Sequence, residues 1–537
     1  MKRFYGIEDL VTALSLSNLC FLAVWRSLLS TKEFKGYYLK DPSLWRNSAA
    51  LMLDVLILAA LFWAAYAFIR RQNNKYLRFL ARWVFLFAAY TALDGIRRQF
   101  YGPLTAPALI AVIGKTAFIA LLVIAVPLLL FLLVRRSLRV IYFARTIVLI
   151  LSPFVLVTFS HAAWVIVRAR PDTQPRNKTA SDAGKRQPAA RVVWLIFDEF
   201  DYRVAFLARP STVELPQLDR LRAESLAATN AYPPTKWTVA SLPSLITGRL
   251  VSETRALNYD ELMLTFDGAS EPVGWSTQPN VFSRTQAIGG ATAVVGWYHP
   301  YCRVLGADLN KCCAEVLNNE LDMQSQSISR SMFDYFSSVR NEAPLLRRTH
   351  HSIGVDKRTI YENVERLKRL GQASALAVAD ADISLTLIHF PAPHDPYLYD
   401  RRKDDFTYEG GCSYFDNLEL VDRTVGELRH SMEQSGLWDD TIVLLSSDHW
   451  WRTDIWPKDP SWTEEEQAIV AGGIDYRVPF LLKLKNQKEG SVYHPSFNTV
   501  LSQDLILALL QGELSTKTEV AAWLDQHRSI DKSPYYK

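Results

Sequence analysis

Two short stretches far apart in the chain carry side chains that bind metals. Asp198-Glu199 follows the apolar run 192–197, and Asp448-His449 follows the run 441–445 and two serines. Acidic and imidazole groups placed just after β-branched and aliphatic runs read as ligands at the carboxyl ends of buried parallel strands. That is where open α/β sheets bind their substrates. Between the two stretches lies a hydroxyl-rich turn, residues 233–249, with Thr235, Thr238, Ser241 and Ser244. Each could serve as a nucleophile or only cap a helix or turn. A metal beside a hydroxyl points to phosphoryl or sulfuryl chemistry.

The elements that must position these groups fall into two parts. Residues 1–168 read as a transmembrane helical domain, 169–190 as a flexible linker rich in Pro, Lys, Arg, Asn, Thr and Ser, and 191–537 as a soluble catalytic domain. Apolar runs at 10–25, 49–69, 79–93, 116–134 and 146–167 give about five crossings, with 103–113 as a re-entrant or interfacial piece. Arg70, Arg71, Lys75 and Arg78, and then Arg135, Arg136 and Arg139, mark two connections as cytoplasmic. The expected topology is multi-pass in the plasma (inner) membrane, with the catalytic domain on the periplasmic or extracellular side. Lys32, Lys35, Lys40, Arg97 and Arg98 run against it. The first run lacks a small-residue cleavage site and is expected to be retained. Asp54 inside the second run would cost about 2.5–3.5 kcal/mol at mid-membrane, so it should pair with a basic group or face a polar cavity.

In the soluble part, strand-like runs at 292–295, 383–388, 441–445 and 478–482 alternate with helical ones, the clearest at 414–433. This predicts an α/β fold with a mainly parallel sheet between helices. A net charge of +5, spread along 537 residues, gives nucleic-acid binding no support. Of the five cysteines, Cys302, Cys312, Cys313 and Cys412 lie in this part. In an exported domain they allow two disulfides, one of the adjacent pair 312 and 313 joining Cys302 and the other Cys412; free buried thiols are the alternative.

Several blocks taken together resemble the sulfatase-like branch of the alkaline phosphatase superfamily. Asp198-Glu199 resembles its opening acidic pair. Thr238-Val239-Ala240-Ser241, with Leu245-Ile246-Thr247-Gly248-Arg249, resembles the sulfatase signature in register and puts Thr238 at the nucleophile position. Residues 290–299, ending in His299, resemble the second signature, Pro393-His394-Asp395-Pro396 the later histidine block, and Ser447-Asp448-His449 the closing metal pair. Three departures stand out. Threonine cannot become the formylglycine of a sulfatase, Trp297 stands where a lysine is usual, and the arginine expected after Ser241 is missing. With the membrane anchor, these features resemble the phosphoethanolamine and phosphoglycerol transferases of bacterial envelopes.

The resemblance implies a phospho-Thr238 intermediate, a membrane phospholipid as donor, and an envelope glycan or lipid as acceptor. Asp198, Asp448, His449 and the Thr238 oxygen would form the metal set, with Glu199 as a fifth ligand or as the group that orients one. Three oxygens and one imidazole suit Zn²⁺ or Mn²⁺ better than Mg²⁺ or Ca²⁺. His394 and His299 would contact phosphate oxygens or protonate the leaving alcohol. Lys236, His389 and His494 are further substrate-binding candidates. A phosphodiesterase or sulfatase-like hydrolase, and a non-catalytic sulfatase-like scaffold, are the competing readings.

Overall fold

The structure is a computed structural model and describes residues 4–29, 37, 44–71, 74–101, 114, 137–167, 188–258, 260–316, 327–342, 357–455, 462–528 and 533–536. The chain divides into two compact units. One comprises Met1–Thr31, Asp41–Asp172 and Asn319–Ser352; the other comprises Lys32–Lys40, Thr173–Asn318 and Ile353–Lys537.

The first unit is helical: α1 (Phe4–Cys20), α2 (Leu22–Leu29), α3 (Leu44–Arg71), α4 (Lys75–Tyr101), α5 (Ser137–Ile150), α6 (Pro153–Val167) and, from far along the chain, α9 (Ile328–Glu342). Trp45–Ile69, Lys75–Arg97 and Leu138–Val167 are long and apolar enough to cross a membrane, with mean hydropathies of 2.2, 1.4 and 2.2. α3 turns Leu56, Leu61 and Phe68 outward, and α6 Leu156 and Val167, as helices facing lipid do. The expectation of five crossings is met by three among the described residues. The first run instead forms two abutting helices, α1 and α2, broken by a turn at Phe21. The fourth, 116–134, lies outside the described residues, as do 103–113 and most of the expected linker. α9 packs on this bundle through Phe336, edge-on to Phe21 at 5.5 Å, and through Ser331, whose hydroxyl donates to Asn47 Oδ1 at 3.3 Å. Asp54 is fully buried in α3, and neither of its carboxylate oxygens has a hydrogen-bond partner among the described residues.

The second unit is built on an eight-stranded sheet. Its strands are β1 (Arg191–Asp198), β2 (Leu226–Ala228), β3 (Thr292–Tyr298), β4 (Lys311–Val316), β5 (Leu385–Pro393), β6 (Thr441–Ser447), β7 (Phe480–Lys483) and β8 (Ser491–Tyr493). Their order is β8-β2-β7-β6-β1-β5-β3-β4. The five from β6 to β4 are parallel to their neighbours, while β7 is antiparallel to both β6 and β2. β1 is buried on both faces, and its pleat sends alternate residues to opposite layers. Val192, Trp194 and Ile196 join the apolar layer that contains α7 (Thr238–Thr247) and α12 (Ser502–Gln511). Val193, Leu195 and Phe197 join the layer of α10 (Lys357–Val378) and α11 (Tyr414–Gln434).

Cys302, in the short helix α8 (Tyr301–Val304), forms a disulfide with Cys312 on β4. The second expected bridge is not formed: Cys313 and Cys412 are free thiols. Neighbouring residues of a strand point to opposite faces, so Cys313 turns away from the bond its neighbour makes and is exposed.

Candidate active site

β6, β1 and β5 lie side by side and parallel, so their carboxyl ends open on the same edge of the sheet. Asp198 is the last residue of β1, and Asp448 and His449 follow β6 directly. Phe197 pairs in register with Ser447, which brings the two acids to adjacent positions. The Ser447 hydroxyl ties this join, lying 2.7 Å from the carbonyls of Phe197 and His449 and accepting from the Phe200 N–H at 2.9 Å. The register of β1 against β5 shifts between Phe197 and Asp198, and the next residue, Glu199, has φ +66°. A left-handed non-glycine residue beside a bulge is costly, and such strain gathers where a fold re-aims functional groups.

Asp198, Asp448 and His449 are wholly buried and Thr238 nearly so. His449 Nε2 lies 3.4 Å from Asp198 Oδ1, 3.4 Å from Asp448 Oδ2 and 3.0 Å from Thr238 Oγ1. Its Nδ1 faces the Trp450 carbonyl at 3.0 Å. A carbonyl can only accept, so Nδ1 carries the hydrogen and Nε2 presents its lone pair inward, as a metal-binding imidazole must. Both Asp198 oxygens and Asp448 Oδ2 lack a hydrogen-bond partner among the described residues.

Burial raises Asp198 to about 6 and Asp448 well above its ordinary value, the charge of Asp198 adding to the latter. Burial, then the nearby Arg452 charge, drives His449 well below its ordinary value. Bare carboxylate oxygens around one imidazole lone pair are unfavourable alone and favourable around a cation. The residues fit a divalent metal, which Asp198, Asp448, His449 and Thr238 would hold.

Thr238 is the first residue of α7, whose start has no side-chain cap, leaving backbone N–H groups for an anion. The competing hydroxyls are engaged elsewhere. Thr235 bonds the backbone of Trp237, Ser241 donates to the Asp448 carbonyl, and Ser244 bonds Ala240 and Val251.

Beside this centre stands an arginine that was not among the sequence candidates. Arg452 donates from Nε to Glu199 Oε1 at 2.8 Å, reaches the Lys236 carbonyl at 3.4 Å, and has Nη2 3.0 Å from His394 Nε2. Its guanidinium lies 5.3 Å over the half-exposed Trp237 ring. The one available signal was a basic residue three places beyond His449. His394 Nδ1 contacts the Asp395 carbonyl at 2.6 Å. Burial works against a charged His394, but Glu199, Asp198 and Asp395 outweigh it and raise its pKa. Glu199, His394 and Asp395 form a second group of metal donors, two of which are already bonded to Arg452. The Glu199 N–H donates to Asp448 Oδ1 at 3.3 Å, in keeping with an orienting role rather than that of a fifth ligand.

The remaining candidates sit differently. His299, just after β3, has Nε2 3.3 Å from the Thr238 carbonyl and Nδ1 3.1 Å from the hydroxyl of Tyr37. With both nitrogens engaged, it offers neither to a substrate. His389, within β5, has Nδ1 between the Tyr301 hydroxyl at 2.9 Å and the Trp297 carbonyl at 3.0 Å. Burial lowers both histidines to about 3. The Lys236 ammonium lies 5.4 Å from the Trp237 ring centre, at the rim. His494 follows β8, three strands from β6, or roughly 14 Å at ordinary strand spacing. It is exposed and its ring meets Thr229, so the site expected to include it does not.

Comparisons with known proteins can be set against this geometry. A PsFucS1 sulfatase from Pseudoalteromonas sp. is 16% identical, with a TM-score of 0.39 over 61% of this chain and 69% of that one. A phosphonate monoester hydrolase of Agrobacterium radiobacter is 14% identical, with a TM-score of 0.36 over 61% and 77%. At these scores the likenesses add nothing beyond a general one. None of the curated proteins matches the chain. A family model described as Sulfatase matches residues 191–511, more than half of the chain, including each residue of the metal cluster and Thr238. The chain therefore belongs to the sulfatase family.

Proposed function

We propose that this protein is an integral membrane phosphotransferase that moves a phospholipid headgroup, phosphoethanolamine or phosphoglycerol, through a phospho-Thr238 intermediate to an envelope glycan or lipid. The observation that carries this reading is the Thr238 Oγ1, 3.0 Å from His449 Nε2 and beside the unpartnered oxygens of Asp198 and Asp448 Oδ2. A threonine there keeps its hydroxyl as the nucleophile, which suits attack on phosphorus.

Asp198, Asp448, His449 and Thr238 would hold a divalent ion, zinc or manganese by the donor set, which would supply a lowered pKa at the attacking hydroxyl and positive charge opposite the phosphate. Thr238 Oγ1 attacks phosphorus in line, and the bond from phosphorus to the diacylglycerol oxygen breaks. As Arg452 Nη2 turns from His394 Nε2 to the phosphate, His394 takes up the Thr238 proton at Nε2 and passes it to the departing diacylglycerol oxygen, so the step balances. Arg452 and the uncapped N–H groups of α7 stabilise the non-bridging oxygens. An acceptor hydroxyl then attacks phosphorus, and Thr238 departs with its proton restored. The apolar helices would keep the site at the lipid surface, on the extracytoplasmic face.

Incubation of the full-length protein with headgroup-labelled phosphatidylethanolamine or phosphatidylglycerol and an envelope extract tests this reading. Label passing to a glycan or lipid with release of diacylglycerol, abolished in Thr238→Ala, is expected. Free headgroup regardless of acceptor would instead identify a hydrolase. No turnover, with full cellular function of Thr238→Ala, would identify a scaffold.

A further inference from the structure

Tyr37 falls in sequence between α2 and α3, yet it belongs to the catalytic unit. Its side chain is fully buried in the apolar layer that includes Trp275, Tyr301 and Val304. Its carbonyl accepts from Arg303 Nη2 at 2.7 Å, its ring stands edge-on to His299 at 5.9 Å, and its hydroxyl lies 3.1 Å from His299 Nδ1. The other nitrogen of that imidazole faces the Thr238 carbonyl at 3.3 Å. A carbonyl can only accept, so Nε2 carries the hydrogen. Nδ1 is then the acceptor, and the Tyr37 hydroxyl must donate to it. The tautomer of His299, and with it the bond to the first residue of α7, depends on a residue that lies more than 150 positions before the catalytic strands begin.

We infer that Tyr37 is a positioning residue for Thr238, acting through His299, so that a residue from between α2 and α3 is part of the catalytic apparatus. A phenylalanine keeps the ring and its packing but cannot donate, leaving Nδ1 unpaired and His299 free to change tautomer. The first turn of α7 then loses one of its restraints. Small displacements of a nucleophile are expensive in rate.

The inference rests on Thr238 as nucleophile only for its kinetic readout, so a second readout is independent of activity. Hydrogen exchange followed by mass spectrometry is compared for full-length wild type and Tyr37→Phe in detergent. The expected result is exchange about threefold to tenfold faster in peptides covering 237–247 and 297–305, the loss of about one hydrogen bond, with 502–511 unchanged. The rate of headgroup adduct formation on Thr238 should fall by about tenfold in the same variant. His299→Gln retains a donor to the Thr238 carbonyl and has no counterpart of Nδ1, so adding Tyr37→Phe to it should change neither readout. Wild-type exchange in both peptides, a uniform rise across the catalytic unit, or additive effects in the double variant would overturn the inference. A wild type that forms no adduct would sink the transferase reading alone, leaving the exchange data to decide this one.

Discussion

Arg452 takes up donors that a second metal ion would need. Its guanidinium is bonded to Glu199 and His394, two of the three donors in the second cluster, while both oxygens of Asp198 and Oδ2 of Asp448 have no hydrogen-bond partner among the described residues. Elemental analysis of the purified full-length protein should give about one zinc or manganese per chain, and none in Asp448→Ala, where one carboxylate of the cluster is gone. Arg452→Ala should gain a second ion on Glu199, His394 and Asp395; a stoichiometry unchanged from wild type would show that those donors do not form a site. The two acids and the histidine of the metal cluster were legible because they follow strand-forming runs, and Thr238 because its signature stands in register with theirs. Arg452 and Tyr37 were not. An isolated arginine or tyrosine is common, and only the fold shows that one lies against Glu199 and the other against His299. His494 was misplaced for the converse reason, since sequence order does not reveal that β8 lies at the far edge of the sheet.

Strand and helix placement was legible within a few residues, because the parallel strands are buried on both faces and read as unbroken apolar runs. The small β2 and β8, at three residues each, offer too little pattern to be seen. Close packing behind the site gives a test at this scale. A Cβ added at Gly296 on β3 would come 2.7 Å from the Tyr301 ring, the group whose hydroxyl bonds His389. Gly296→Ala should therefore destabilise the catalytic unit by about 1–3 kcal/mol, seen as a lower unfolding midpoint. A midpoint equal to wild type would contradict this packing.

α11 gives a second test. Asp422 accepts from the Leu218 N–H at 2.7 Å, and burial raises it from 3.8 to about 6. Between those values the folded chain binds a proton that the unfolded chain does not, so stability contributed by this group falls as pH rises through that window. Asp422→Asn keeps the acceptor and removes the titration. Its unfolding midpoint relative to wild type should be higher at pH 7 than at pH 4; an equal difference at both would refute the assignment.

For the whole molecule, three helices among the described residues are long and apolar enough to cross a membrane, and under the proposed function the side on which the sulfatase-family unit stands decides which lipids and acceptors it can meet. Cys313 is an exposed free thiol on β4, so it reports the side directly. A membrane-impermeant maleimide should label it in intact spheroplasts, with the label lost in Cys313→Ser. Labelling only after lysis would place the catalytic unit in the cytoplasm and exclude an envelope acceptor. The two-part division of the chain was legible from its composition. The return of α9 to the helical unit, and of Tyr37 to the catalytic one, was not, because both depend on contacts between distant parts of the sequence.

The most direct measurement is peptide mass spectrometry of the full-length protein after brief incubation with phosphatidylethanolamine or phosphatidylglycerol and no acceptor. The expected result is a phosphodiester-linked headgroup on Thr238, absent from Asp448→Ala and Thr238→Ala and chased away when acceptor is added. Turnover of the lipid with Thr238 unmodified throughout would contradict the covalent transfer on which the proposed function stands.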